Sequence, residues 1–261
     1  MSDLTQFSLA LRAFQQVPTG SIQVPAPQDR LLPNLPASLD GVGPLPENTL
    51  LFGIAGDGKP LLLSLSNPRP GPILVAAERG SGKTHFLKML LLAAQRLVAP
   101  GEVQFVVITG FPDDFAHLQA PDHLLGVWPA YDVVSTDLLY QLACRVEAAK
   151  NQRPVLLLID GLDAIFQLEA SAQENLAYIL AHGPDALVWP VVTANADLLI
   201  NLPDWLACFR TRIYGRITNP GTIEALTSVP GAPLNSLLPG AQFCLREQSR
   251  WLKFWLPMLP A

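Results

Sequence analysis

Charge is scarce in this chain. Only 15% of its 261 residues are Asp, Glu, Lys or Arg, against 49% hydrophobic, and the net charge is −5. That composition excludes a disordered protein. Lys and Arg never run beyond isolated pairs, so a broad basic face for nucleic acid is excluded, although a few basic residues lining a pore would leave no such trace. Cysteine is equally sparse. Cys144, Cys208 and Cys244 lie far apart, are odd in number and lack metal-ligand spacing, which reads as reduced thiols in a cytosolic protein. The N-terminus, MSDLTQFSLALRAF, has neither a basic n-region nor a long apolar run, so no secretion signal is expected. The longest apolar stretches, FLKMLLLAAQRLV and VLLLI, are broken by charge or too short to cross a bilayer. A cytoplasmic protein with no membrane span is expected.

Proline, by contrast, is abundant, and seven prolines fall between Pro18 and Pro46. Proline blocks both helix and ladder bonding, so this stretch reads as an extended arm or linker. Before it, Leu4, Phe7, Leu11 and Phe14 stand at helical spacing. The expected division is therefore an N-terminal helix and proline-rich arm over 1–48 and one folded domain over 49–261.

Within that domain, LLFGIAGDGKPLLLSL reads as two strands joined at Gly56-Asp57-Gly58. Four buried strands follow, ILVAA, EVQFVVITG, RPVLLLIDGLDAI and LVWPVVTAN. Between them lie helices at KTHFLKMLLLAAQRLV, at STDLLYQLACRVEAAKN (capped by Ser135 or Thr136) and at SAQENLAYILAHG. FRTRIYGRI reads as a fifth strand, GTIEALTSV as a short helix, and GAQFCLRE with RWLKFWLP as a closing hairpin. FPDDFAHLQAPDHLLG reads as a loop. Alternating strands and helices give an α/β fold, a mostly parallel sheet covered by helices on both faces and flanked by β-hairpins.

The chemistry lies in AAERGSGKTHFL. A strand, then Glu78-Arg79-Gly80-Ser81-Gly82-Lys83-Thr84-His85 opening a helix, is the arrangement that binds phosphate. Gly80 and Gly82 let backbone N–H groups converge on anionic oxygens, and the helix adds its positive end. Lys83 would reach the β- and γ-phosphates and Thr84 would hold Mg²⁺, so ATP and Mg²⁺ are the expected cofactors. The pattern G-x-x-x-x-G-K-[ST] departs at its head, where Ala77 replaces glycine at a cost of about 1 kcal/mol if positive φ is required.

VLLLID carries Asp160 to the C-terminal edge of the sheet as a second Mg²⁺ contact. Gly161 follows, where many such ATPases place the Glu that orients the attacking water. Asp163 either replaces that carboxylate or caps the next helix, and a carboxylate restored at position 161 is expected to speed hydrolysis. Thr193 and Asn195, ending VVTAN, stand where a polar group would sense the γ-phosphate, or merely bond within a strand-end turn.

The order of these pieces resembles the HerA/FtsK superfamily of motor ATPases, including type VII secretion ATPase modules. The resemblance rests on FGIAGDGKPLLLSLSNPRPGPILVAAERGSGKT, VVITGFPDD, FRTRIYGRI and PGAPLNSLLPGAQFCL, and covers about Leu50 to Pro257. It implies a RecA/FtsK-like P-loop NTPase acting on DNA or a polypeptide as a homo-oligomeric ring, perhaps a hexamer. It also implies that Arg212 or Arg216 completes the neighbouring subunit's site. An ordinary surface salt bridge is the competing role for either arginine. With the chain ending at Ala261, no winged-helix segment for DNA is expected on it. A partner would then recognise the substrate, or turnover is slow or lost. LLLIDGLDAI separately resembles the D-G-x-D acid strand of NACHT-type switch NTPases, so a signalling switch stays open, as does a structural subunit that binds ATP without hydrolysing it.

Overall fold

A computed structural model describes residues 46–118, 123–148, 153–247 and 250–257. The N-terminal helix and nearly all of the proline-rich arm read from the sequence lie outside the described residues. Ten strands form one sheet. They are β1 (Thr49–Ala55), β2 (Pro60–Ser64), β3 (Ile73–Ala77), β4 (Gln104–Thr109), β5 (Leu124–Pro129), β6 (Val155–Asp160), β7 (Val188–Asn195), β8 (Thr211–Tyr214), β9 (Gln242–Glu247) and β10 (Arg250–Trp255). Their spatial order is β2-β1-β10-β9-β8-β3-β7-β6-β4-β5.

The six strands from β8 to β5 run parallel. The β9–β10 and β1–β2 hairpins then extend the same sheet antiparallel from β8. The flanking hairpins expected from the sequence are thus not separate units. Each continues the ladder, so the parallel block is exposed only at β5.

Both faces of the sheet are covered, and the period-two alternation of the strands sorts the core into two layers. Ile73, Val75, Phe105, Val107, Leu156, Leu158, Trp189 and Val191 face one cluster, which α1 (Lys83–Leu97) covers with Phe86, Leu87, Leu90 and Leu91. Leu74, Ala76, Val106, Ile108, Leu157, Ile159 and Val192 face the other. That side is covered by α2 (Val133–Ala148), α3 (Leu162–Ile165), α4 (Ala170–His182), α5 (Ala196–Leu199) and α7 (Pro220–Thr227). A short α6 (Pro203–Cys208) precedes β8. The central strands carry almost no polar residue because both faces are dry. Trp189 is the largest fully buried side chain, and its indole N–H donates to the Leu65 carbonyl at 3.1 Å.

Several elements differ from the sequence reading. Leu124–Pro129 is a strand, although its first residues fell in an expected loop. It is an edge strand whose residues are mostly half-buried, and its Gly126 and Pro129 mimic turn signals while an edge tolerates both. Helix α2 begins at Val133, earlier than either expected cap. Asp132 Oδ1 accepts from the Val134 amide at 3.0 Å, while the Ser135 hydroxyl donates to the Pro129 carbonyl at 2.7 Å. The helices α3, α5 and α6 are too short to show a period.

The seam joining the hairpins depends on Gly53, which sits beside an irregularity in the β1–β2 register. A Cβ there would lie 2.5 Å from the Phe254 ring and 2.7 Å from the Trp255 carbonyl oxygen. Gly53→Val is therefore expected to lower unfolding free energy by about 1–3 kcal/mol, read from the urea midpoint.

Candidate functional site

The site forms at the C-terminal ends of β3, β6 and β7, where helix starts and strand ends meet. After Ala77 the chain turns through Glu78–Gly82 into α1. Gly80 and Gly82 take φ values of +76° and +88°, backbone that side-chain-bearing residues rarely adopt. Nothing lies within 4 Å of where a Gly80 Cβ would stand, so the loop is open on that side. At Gly82 a Cβ would meet the Gly240 Cα at 2.5 Å.

Five bonds pin the loop to the segment after β8 and to the segment before β9. The Glu78 amide donates to the Arg216 carbonyl at 3.0 Å, and the Ser81 hydroxyl donates to the same oxygen at 3.4 Å. The Gly240 amide donates to the Ser81 carbonyl at 3.2 Å. The Thr218 hydroxyl donates to Glu78 Oε1 at 2.6 Å, with the Thr218 amide on the same oxygen. Burial pushes the Glu78 carboxyl up, but the Thr218 hydrogen bonds and the Arg216 charge outweigh it and hold the group below the usual carboxylate range.

Ala77, the substitution at the head of the loop, carries no strain. It is the last residue of β3, paired in register with Asn195 and fully buried. Its φ is not positive; among the described residues only Asn48, Leu187 and Ser228 are non-glycine residues with positive φ. The expected cost of about 1 kcal/mol therefore does not arise. Space for the alanine methyl comes from across the sheet, where a Cβ on Gly215 would lie 2.8 Å from Ala77 Cβ.

Lys83 Nζ donates to the carbonyls of Ala77 (3.2 Å) and Glu78 (2.9 Å) and to Asn195 Oδ1 (2.9 Å). Burial lowers its pKa, offset in part by Asp160 and Asp163. One residue on, Thr84 Oγ1 donates to Asp160 Oδ2 at 2.9 Å. Thr193 Oγ1 donates to Asp160 Oδ1 at 3.1 Å and accepts from the Gly161 amide at 2.8 Å. Asp160 is raised by burial, with the Thr84 and Thr193 bonds and the Lys83 charge opposing that rise.

The structure thus brings together Lys83, Thr84, Asp160, Thr193 and Asn195, drawn from three strand ends. Thr84 and Asp160 fit a Mg²⁺ ion, which keeps several waters and takes one or two protein groups beside substrate phosphates. Among the described residues no group of three or more His, Cys, Asp or Glu could hold a metal, so an all-protein cage is not the arrangement.

An open cleft of about 330 Å³ adjoins this cluster, lined by Glu78, Arg79, Asp163, Asn195, Ala196, Asp197 and Leu198. Asp163 is exposed and makes no hydrogen bond in the described structure, so it does not act as a side-chain cap of α3. Gly161 has φ +100° and ψ 102°, and a Cβ there would approach Asp163 Oδ1 to 3.1 Å. The expectation of faster hydrolysis from a carboxylate at 161 meets a backbone obstacle, because any side chain there is strained.

Arg212 lies inside β8, with Nε donating to the Phe209 carbonyl (3.3 Å) and Nη2 to the Leu206 carbonyl (2.8 Å). Arg216 lies past the end of β8, beside Glu78 of its own loop. His85 is half-buried in the first turn of α1, its pKa lowered by burial and by Lys88. Sequence reasoning missed Asp197, Gly215, Thr218 and Gly240. Gly215, Thr218 and Gly240 meet the loop or its strand from elements distant in sequence, Asp197 lines the cleft beside it, and no local signal marks them. The cysteines are unpaired, and burial pushes the Cys244 thiol up to about 12.

This geometry and sheet order define a P-loop NTPase fold. More particularly, it is the fold of the FtsK/HerA-type P-loop ATPases. EssC (ATPases 2 and 3) from Geobacillus thermodenitrificans matches with a TM-score of 0.71 at 13% identity, covering 89% of this chain and 48% of that one. The cytoplasmic domain of the Thermomonospora curvata type VII secretion ATPase EccC matches with a TM-score of 0.64 at 17% identity, covering 92% and 31%. The pCW3 conjugation coupling protein TcpA, solved in monomer form with ATPγS, matches with a TM-score of 0.64 at 13% identity, covering 89% and 71%. The chain spans about a third to a half of the length of the secretion ATPases it matches. The NACHT domain model matches residues 72–198. A search of the curated proteins finds no match.

Two variants check the loop geometry. Ala77→Gly restores the standard motif yet should leave nucleotide affinity unchanged and cost about 0.5–1 kcal/mol of stability, because it loosens a strand residue. Gly161→Glu should lower stability by about 1–3 kcal/mol through its backbone alone. Thermal denaturation and nucleotide titration of both variants read these outcomes.

Proposed function

We propose that the protein is an ATP-binding, motor-type P-loop NTPase that converts ATP and water to ADP and phosphate slowly, as one module of a larger assembly. The observation that carries this reading is the Thr84–Asp160–Thr193 chain of hydrogen bonds beside Lys83 and Asn195. It supports the reading because a hydroxyl and a carboxylate stand together that would hold Mg²⁺, beside an ammonium that would meet phosphates. Mg²⁺, when bound, screens the charge of the β- and γ-phosphate oxygens.

The chain's own groups would do the rest. Gly80 and Gly82 let the loop amides face the phosphates. Lys83 would leave its carbonyl partners for phosphate oxygens, and Asn195, its present acceptor, would register the exchange. Thr193 holds Asp160 in register and ties it to the Gly161 amide. Asp163, three residues beyond Asp160 and free of hydrogen bonds, is the carboxylate that orients the attacking water and takes its proton at Oδ. Its offset from the usual position supports slow turnover.

A homo-oligomeric ring, with a hexamer as its proposed size, is the proposed assembly, and the cytoplasm its proposed location. Two observations support a partner at this end of the sheet. Phe111 and Tyr131, just beyond the paired ends of β4 and β5, are each 71% exposed, and Val133 beside them is 63% exposed. Exposed apolar surface of this kind marks association. A polypeptide or DNA is the proposed substrate. No helix among the described residues is long and apolar enough to cross a membrane. Of the two arginines considered, Arg212 donates to two carbonyls of its own chain. Arg216 lies past the end of β8, and its Nε has no hydrogen-bond partner among the described residues, which favours Arg216 for a role at a subunit boundary.

A NACHT-type switch is the second reading, favoured by the match over residues 72–198 and by the Asp160-Gly161-x-Asp163 spacing. Such a switch would bind ATP tightly and hydrolyse it once per cycle of signalling. The continuous extension of the sheet through β9, β10, β1 and β2 favours the motor reading.

Steady-state turnover combined with nucleotide titration tests this reading. Lys83→Ala should weaken MgATP binding at least tenfold, since each charged contact contributes about 1.5–3 kcal/mol. Asp163→Asn should remove most hydrolysis, about 10²-fold or more, with ATP affinity nearly unchanged. Wild-type turnover at tens per second that ignores Asp163→Asn would overturn the assignment of the base.

A further inference from the structure

ATPases of this design need a positive charge on the γ-phosphate as it transfers, and the loop itself contains an arginine that nothing in the fold uses. We propose that Arg79 is that charge, acting on the nucleotide of its own chain, so that one subunit carries a cation of the kind otherwise brought by a neighbour. The inference rests on the ATP reading above.

Arg79 immediately precedes Gly80, at the open turn of the loop, and it is exposed. It lines the same cleft as Asp163 and Asn195. Asn195 is the partner of Lys83, so the cleft begins where the lysine ammonium ends. The charges of Arg79 and Lys83 already sense each other, since Arg79 is among the groups that lower the Lys83 pKa. The attacking water in the reading above lies in this cleft, between Asp163 on one wall and the loop on the other. Arg79 is on the loop wall.

Its donors are also uncommitted. Three carboxylates line the cleft with it, Glu78, Asp163 and Asp197, yet no ion pair among the described residues involves Arg79. Glu78 is taken by Thr218. The other candidate arginines differ. Arg212 donates to two carbonyls of its own chain, and Arg216, whose carbonyl anchors the loop, keeps its Nε buried rather than open to the cleft. A guanidinium offers a planar fork of donors that matches phosphate oxygens two at a time. Flanking carboxylates that leave it unpaired in the nucleotide-free chain would keep it in the cleft without consuming those donors.

The test compares MgADP with MgADP plus fluoroaluminate, which imitates the phosphoryl group in transfer, by titration against the full chain. Transition-state analogues bind more tightly than ground-state ligands by about 10²-fold or more. Wild type should show that enhancement, with the same midpoint at protein concentrations where it is monomeric and where it self-associates. Arg79→Ala should keep its MgADP affinity within about twofold and lose at least about tenfold of the enhancement. Arg79→Lys should fall between, keeping charge without the fork. The residue is exposed on a loop, and matching melting temperatures confirm that each variant is folded. An Arg79→Ala protein that keeps the full enhancement overturns the proposal. So does an enhancement in wild type that appears only on self-association, which assigns the cation to a neighbour. Failure of wild type to bind MgADP at all overturns the nucleotide reading instead, so the two failures are distinguishable.

Discussion

The close approach of two glycine backbones, Gly82 in the phosphate loop and Gly240 before β9, is the constraint on which the site depends. A methyl group at Gly82 would overlap the Gly240 Cα, whereas a Cβ on Gly240 would meet nothing within 4 Å, so the contact exists only because Gly82 lacks a side chain. It places the Gly240 amide on the Ser81 carbonyl, while the Arg216 carbonyl takes the Glu78 amide and the Ser81 hydroxyl. Within the loop the Ser81 amide donates to the Glu78 carbonyl at 3.2 Å, and the loop's other pinned polar groups are satisfied from outside. The strands beyond β8 therefore do more than extend a sheet. They hold the loop open in the shape that anion binding needs.

This dependence explains which parts of the molecule were legible in the sequence. Gly80, Gly82, Lys83 and Thr84 form a local pattern, and their strand and helix flank them directly. Asp160 was legible because a run of buried aliphatics must end somewhere, and an acid at that end is conspicuous. The central strands β3, β4, β6 and β7 were legible for the same reason, since a strand dry on both faces reads as an unbroken apolar run. The groups that hold the loop in place were not. Gly215, Thr218 and Gly240 follow the loop by more than a hundred residues, and each looks like an ordinary turn or strand-end residue. Strand β5 was missed because an edge position tolerates the same Gly and Pro that signal a loop.

The two departures from the standard motifs have different physical standing. Ala77 is harmless, because its position is extended backbone and the missing side chain at Gly215 leaves room for the methyl. Gly161 is not a neutral absence. With φ +100° it turns the chain sharply after Asp160, and that turn brings Asp163 to the cleft while α3 begins. A carboxylate directly after Asp160 requires the backbone to continue in an L-residue conformation, which would move α3. On the proposed reading, the chain exchanges the usual position of its second acid for a different backbone path, and Asp163, two residues later, takes that role.

That exchange bears on the whole cleft. Asp163 in the first turn of α3, Asn195 at the end of β7 and Arg79 on the loop come from three elements that share no hydrogen bond through these three side chains. Asn195 is tied to Lys83, whereas Asp163 and Arg79 point into the same open space without partners. Groups left unpaired near one another at a site pinned so firmly elsewhere cost little in water, because the cleft is open and solvent screens them. Once a nucleotide closes that space, the same groups lose water and their charges act at lower dielectric. On the proposed reading, the rigid side of the site, anchored through Gly82 and Gly240, would fix where phosphates lie. The open side would supply charges that become strong only when phosphates arrive.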